Sequence, residues 1–182
     1  MDAVILLSGG IDSSACIKFY LDLSYKVECI FCNYGQPAAD AELAAAQSIT
    51  KFYNVCLHII TTSSMMIPNS GEICGRNALL IIQALCFKGF GTYKIILGIH
   101  DGTSYADCSS NFVKIINYLL DFYGNGTIYL EAPFITWNKL EISLYCKKNF
   151  VPYHLTYSCE TGHIPPCGIC KSCLDRKEFF NE

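Results

Sequence analysis

An apolar run, Ala3–Leu7, passes without a break into Ser8-Gly9-Gly10-Ile11-Asp12-Ser13-Ser14, and from Asp12 to Leu23 apolar residues recur at helical spacing. A short apolar run that ends in glycine reads as a buried strand, so the chain is expected to open with strand, tight loop and helix. Glycine lets the backbone approach an anion closely. The helix N-terminus adds unpaired N–H groups and the positive end of its dipole. Ser13 and Ser14 add hydroxyl donors, and Asp12 either caps the helix or helps to hold a phosphate-bound metal. The loop lacks the Gly-Lys-Ser/Thr ending of a Walker A motif, so no kinase-like γ-phosphate clamp is indicated. A tight turn with an ordinary cap is the plain alternative; Gly-Gly alone would not displace it, but the whole string after a buried strand does.

The same alternation continues. Val27–Cys32, Val55–Ile60, Tyr93–Gly98 and Thr127–Leu130 read as strands. Ala38–Phe52, Asn77–Phe87, Ser110–Tyr123 and Asn138–Lys148 read as helices, Asn77–Phe87 so apolar that burial on several sides is expected. Gly124-Asn125-Gly126 is a helix stop. Strands alternating with helices imply βαβ units, hence a doubly wound, mostly parallel five-stranded α/β sheet with right-handed crossovers. Ligands on such sheets bind beyond the strand C-terminal ends, where the first loop sits. The alternation stops near residue 150, giving residues 1–150 as the α/β domain and 151–182 as an appended cysteine-rich segment.

That segment carries Cys159-x7-Cys167-x2-Cys170-x2-Cys173 among Gly162, Pro165, Pro166 and Gly168. Closely spaced cysteines in a turn-rich stretch converge on one metal, and the remote thiolate completes a tetrahedron. Cys-x2-Cys-x2-Cys also suits an iron–sulfur cluster, but no Cys-Pro follows and the remote thiol lies upstream, so zinc is favoured. His163 is an alternative fourth ligand. A closed four-thiolate site has no open position, so its role would be to fold the tail. The other eight of the 12 cysteines, Cys16, Cys29, Cys32, Cys56, Cys74, Cys86, Cys108 and Cys146, are read as core thiols in a reducing compartment. They suggest no thiol intermediate.

With 52% hydrophobic residues, a net charge of −3 and a pI near 5.8, the chain fits one well-filled domain and lacks a bulk electrostatic footprint for nucleic acid. Its start has no positive n-region and its longest apolar runs fall short of a membrane span, so the expectation is a cytoplasmic protein acting on a small-molecule or protein substrate.

The Ser-Gly-Gly-x-Asp-Ser string resembles the pyrophosphate loop of the N-type ATP-pyrophosphatases. These enzymes cleave ATP between the α- and β-phosphates and transfer AMP to a substrate oxygen. Further strings, in order along nearly the whole chain, resemble one family among them, the 7-cyano-7-deazaguanine synthases: Tyr34-Gly35-Gln36; Gly75-Arg76-Asn77; Gly98 and Tyr105-Ala106-Asp107-Cys108 with Phe112; Glu131-Ala132-Pro133 with Lys139 and Glu141; and the tail through Ser172 and Arg176. The resemblance implies an ATP-dependent carbon–nitrogen ligase that activates the carboxylate of 7-carboxy-7-deazaguanine for attack by ammonia. The amide forms first, and a second activation gives the nitrile. ATP, magnesium, zinc and a homodimer are implied.

Under that resemblance Ser8, Gly9, Gly10, Ile11, Asp12, Ser13 and Ser14 hold pyrophosphate. Tyr34, Gly35 and Gln36 line the nucleotide site, with Asn77 and Gly98 beside them. Arg76 neutralises phosphate or carboxylate. Asp107, with Asp101 as a weaker candidate, orients metal or the base edge. Lys139 is read as an exposed lysine at a helix start rather than a phosphate contact. Catalysis would rest on positioning and charge stabilisation.

The chain departs from the family where substrate is covered. Pro37-Ala38-Ala39-Asp40 replaces basic residues. Cys74 and Ala106 replace prolines, Glu160 replaces an aromatic, and the segment around His100-Asp101-Gly102 is less acidic. The stretch from Thr62 to Cys74 is short. These departures motivate an alternative: an antiphage-defence relative that joins the 7-deazaguanine carboxylate to a protein amine and stops at the amide. Two others are a tRNA-modifying ATP-pyrophosphatase, disfavoured by the acidic balance, and a zinc-stabilised nucleotide-binding module without turnover, disfavoured by the intact Asp12 and Arg76.

Overall fold

A computed structural model describes residues 1–62, 73–100 and 105–180. Five parallel strands form one sheet in the order β3-β2-β1-β4-β5: β1 (Asp2–Leu6), β2 (Lys26–Asn33), β3 (Cys56–Thr61), β4 (Tyr93–Leu97) and β5 (Ile128–Glu131). Leu6 lies opposite Ile30 of β2 and Leu97 of β4, so β1 and β4 end at one level while β2 runs on to Asn33. The order reverses between β1 and β4, which opens a crevice above β1.

Among the described residues six α-helices cover the sheet: α1 (Ile11–Asp22), α2 (Ala39–Tyr53), α3 (Arg76–Lys88), α4 (Ser110–Gly124), α5 (Lys139–Lys148) and α6 (Lys171–Phe180). β1 alternates across the pleat. Ala3, Ile5 and Leu7 pack with Ile17 and Tyr20 of α1, Ile49 of α2, Ile142 of α5 and Phe180 of α6. Val4 and Leu6 pack on the other face with Ile81 of α3 and Ile116 and Leu120 of α4. Every strand and helix expected from the sequence is present, with boundaries shifted by one residue or less.

Two expectations change. α3 is not buried on several sides: it buries only Asn77, Ile81 and Ala84, and Phe87 is 47% exposed. It caps one face of the sheet with nothing described above it. The scattered cysteines are not all core thiols either. Cys16, Cys29, Cys32 and Cys146 are buried and Cys108 is partly so, whereas Cys56, Cys74 and Cys86 are exposed, Cys56 because it lies on the edge strand β3.

α5 begins with a capping box. Asn138 accepts from the Glu141 N–H at 2.9 Å, and the Glu141 carboxylate accepts from the Asn138 N–H at 2.7 Å. That fixes the direction in which Lys139, in the first turn, leaves the helix. The tail then crosses to the crevice. Arg176 of α6 donates to the Tyr153 carbonyl at 3.0 Å and to the Thr156 carbonyl and hydroxyl at 3.0 and 2.9 Å, stapling α6 to the short 3-10 turn Tyr153–Leu155.

Candidate active site

The first loop is organised from within. The Ser8 N–H donates to Ser13 Oγ at 3.3 Å, Ser13 Oγ donates to the Gly10 carbonyl at 3.1 Å, and the Gly10 N–H donates to Ser8 Oγ at 3.3 Å. Gly10 is the N-cap of α1, with no side-chain cap, so the first-turn N–H groups stay available to an anion. Asp12 is therefore not a helix cap. Both of its oxygens lie 2.8 Å from Lys139 Nζ, and His100 Nε2 is 3.9 Å away. This corrects the reading of Lys139 as exposed: its side chain is only 21% exposed and joins the loop across 127 residues of sequence.

Two glycines are dictated by close approach. A Cβ at Gly9, where φ is +79°, would meet the Glu42 carbonyl oxygen of α2 at 2.4 Å. A Cβ at Gly98, just past β4, would meet the Ser13 nitrogen at 2.8 Å. Neither fits, so the loop is pressed between α2 and the end of β4.

The cavity above β1 measures about 370 Å³. Its walls include Ser8, Gly10, Ile11, Asp12 and Ser13, then Tyr34, Gln36, Arg76, Asn77 and Gly98, as expected. Apolar side chains at the strand ends, Leu6, Ile30 and Leu97, line it too. Cys32 also faces it, but burial pushes that thiol up to about 11, which keeps it protonated and poorly nucleophilic.

Other expected residues fall elsewhere. Gly9 and Gly35 shape backbone without lining the cavity. The Ser14 hydroxyl is fully buried with no hydrogen-bond partner, so it points away from any phosphate. Asp107 does not line the cavity. Its carboxylate accepts the Asn77 N–H at 3.2 Å and its carbonyl accepts Asn77 Nδ2 at 3.1 Å, so it satisfies the N-terminus of α3. Asp101 and most of the stretch from Thr62 to Cys74 lie outside the described residues.

Several residues were not expected as walls of the cavity. Glu42 accepts from Gln36 Nε2 at 2.8 Å, and Gln36 in turn accepts the Tyr34 N–H at 2.9 Å. Burial raises the Glu42 carboxyl above its usual range, against the opposing pull of Gln36 and Arg76. Burial likewise raises the Tyr34 phenol, while Arg76 pulls it down. The tail contributes Tyr157, Ser158, Glu160, Ser172, Asp175 and Arg176. The Tyr157 N–H donates to the Gly9 carbonyl at 2.9 Å, joining tail and phosphate loop directly. Nothing in the sequence signalled the tail contact.

The tail is folded around sulfur. The Sγ atoms of Cys159, Cys167, Cys170 and Cys173 all lie within 4.8 Å of one another. Zinc–sulfur bonds of about 2.3 Å make a tetrahedron with edges of ~3.8 Å, so the set fits zinc after a small contraction. Burial alone would raise the Cys159 thiol, but the Cys167 N–H at 3.3 Å and the Thr161 hydroxyl at 3.1 Å lower it. Backbone N–H groups of Ile169 and Cys170 lower Cys167 as well. His163 is not part of the cluster; its ring meets the Thr161 hydroxyl at 2.6 Å.

With this geometry in view, a family model described as "Queuosine biosynthesis protein QueC" matches residues 2–182. The chain belongs to this family. A 7-cyano-7-deazaguanine synthase of Oceanobacillus iheyensis is 30% identical, covering 99% of this chain and 93% of that one. One from Archaeoglobus fulgidus is 31% identical, covering 99% and 86%. The Oceanobacillus alignment has 208 positions against 182 residues here, so at least 26 positions are gaps in this QueC-family chain. Among solved structures, an NMN synthetase from Francisella tularensis superposes with a TM-score of 0.58 at 15% identity, covering 88% of this chain and 67% of that one. An NH3-dependent NAD synthetase from Campylobacter jejuni gives 0.52 at 18%, covering 85% and 66%. At such identities they establish the shared fold alone. Among the described residues no helix is long and apolar enough to cross a membrane.

Proposed function

We propose that this chain is an ATP-dependent ligase that adenylates the carboxylate of 7-carboxy-7-deazaguanine and passes the acyl group to ammonia. One observation carries the reading: the helix N-terminus, Ser8, Ser13 and Lys139 converge on one crevice whose other walls include the apolar Leu6, Ile30 and Leu97 and the cation Arg76. Such a crevice suits a nucleotide whose phosphates meet the loop while its base meets Leu6, Ile30 and Leu97. The carboxylate oxygen attacks the α-phosphorus, the bond to the β-phosphate oxygen breaks, and pyrophosphate leaves against the α1 N-terminus and Lys139. Ammonia then adds to the acyl carbon, loses a proton and expels AMP. Activation of the resulting amide oxygen by a second ATP and loss of AMP would give the nitrile.

Zinc would be held by Cys159, Cys167, Cys170 and Cys173 and would fold residues 151–182 onto residues 1–150. Magnesium is assigned to the ATP phosphates and not to Asp12, because both Asp12 oxygens are occupied by Lys139. A homodimer is supported by Tyr118 and Phe122 of α4, 80% and 82% exposed on one helix face; sedimentation velocity tests it. A cytoplasmic location completes the reading.

Mass spectrometry of a reaction of the protein with Mg-ATP, 7-carboxy-7-deazaguanine and ammonia tests the proposal. Nitrile with AMP establishes it. Amide without nitrile favours the second reading, conjugation to a protein amine in antiviral defence, which the gaps in this chain and its altered covering segments support. No pyrophosphate with any acid overturns both.

A further inference from the structure

The crevice has walls of unlike chemistry. The loop wall is rich in N–H donors and cations. The tail wall is acidic: Glu160 and Asp175 both line the cavity, and neither is within salt-bridge reach of a cation among the described residues. A carboxylate left facing a ligand cavity without a cation is suited to N–H donors of the ligand.

The two acids, and Glu42 opposite, are not equivalent. One Glu42 oxygen is taken by Gln36 at 2.8 Å. One Glu160 oxygen is taken by the Ser172 N–H and hydroxyl at 3.2 and 2.7 Å, and the residue is exposed. Asp175 is half-buried, and among the described residues both of its oxygens lack a partner. It is also held firmly. It lies on α6 between Cys173, a sulfur of the cluster, and Arg176, which staples the helix to residues 153–156. Two free oxygens on a fixed helix are what paired recognition of two adjacent N–H donors requires.

We infer that Asp175 is the residue that reads the substrate ring, accepting hydrogen bonds from the ring N3–H and the 2-amino group of a 2-amino-4-oxopyrimidine edge while the carboxylate of the same ligand faces the phosphate loop. This rests on the ligase reading above and deepens it by naming the part of the ring that is read. The metal cluster thereby gains a share in specificity, because it fixes the helix that carries Asp175.

The test compares wild type and Asp175→Asn on 7-carboxy-7-deazaguanine and on its analogue without the 2-amino group. Pyrophosphate release gives KM and kcat, equilibrium dialysis gives binding of each acid, and zinc content is measured alongside. The expected result is a rise of about tenfold or more in KM and Kd for the 2-amino substrate. KM for ATP and zinc content stay unchanged. On the analogue the two proteins become nearly equal, since the partner of Asp175 is already gone. Asp175→Leu should behave like Asp175→Asn. Equal KM and Kd for both proteins on the 2-amino acid overturn the inference. So does an equal loss on both acids, which would mark Asp175 as a residue that merely supports the tail. If wild type releases no pyrophosphate yet binds the 2-amino acid through Asp175, the ligase reading falls and the recognition stands. If it binds neither acid, both fall.

Discussion

The phosphate loop and the cysteine tail form opposite walls of one crevice, yet they are built by different physics. The loop is short-range: Ser8, Gly10 and Ser13 bond to one another within five residues, on top of the most buried strand of the sheet. The tail reaches the core through Val151 and Phe180, with Tyr153, Leu155, Tyr157 and Phe179 packed against it. The rest of its shape comes from four sulfurs, Arg176 and a backbone bond from Tyr157 to Gly9. A wall built on a sheet is stable by itself. A wall gathered on four thiols that fit a metal would be stable only with the metal in place.

The largest expected effect comes from removing that dependence. Cys170→Ser with Cys173→Ser, or treatment with a strong chelator, should abolish zinc and pyrophosphate release while leaving far-UV circular dichroism of the α/β body nearly intact. Metal analysis and a pyrophosphate assay check it, and full turnover without zinc would collapse the contrast between the two walls.

On the loop wall, Lys139→Met leaves Asp12 without its cation and removes a donor facing the leaving group. A fall of ~10²-fold in kcat/KM is expected, the size found when one preorganised stabilising donor is lost. Zinc content should not change. Gly98→Ala comes next: its methyl would meet Ser13 at 2.8 Å, and relief by backbone shift should cost about 1–3 kcal/mol of stability, measured by urea denaturation, with a smaller fall in activity than Lys139→Met.

The smallest effect concerns Glu42, whose backbone supports Gly9. Burial raises its carboxyl pKa in the folded protein. At pH 4 both folded and unfolded chains hold the proton and the group contributes little. As pH rises the unfolded chain ionises first, so the native state loses stability through this group up to its raised pKa. Glu42→Gln keeps an acceptor for Gln36 and never ionises. It should raise Tm at pH 8, with the gain fading toward pH 4. An equal gain at both pH values would locate the effect in packing instead.

Much of this was legible along the chain, because alternation of apolar runs and helical spacing is a local property. It specified the order and limits of five strands and five of the helices, and cysteine spacing specified the four-sulfur cluster. What escaped depends on which distant segments meet. Lys139 reads as an ordinary helix-start lysine until the sheet order brings α5 beside α1. Asp107 reads as a group that orients metal or the base edge until the start of α3 is found against it. Ser14 reads as part of the phosphate loop, yet the helical turn carries it into the core. α3 looks fully buried by composition, although it is an outer layer on one face of the sheet.

The sequence by itself therefore determined the elements, the glycine-serine loop after β1 and the four sulfurs, since each is set by residues within about 15 positions of one another. Only the tertiary structure decided the partner of Asp12, the role of Asp107 and the presence of Glu42 and Asp175 in the crevice. Those follow from the strand order β3-β2-β1-β4-β5 and from a tail that folds back over 148 residues to reach Gly9. Contacts at that separation are selected by how whole faces pack and leave no mark in the local pattern.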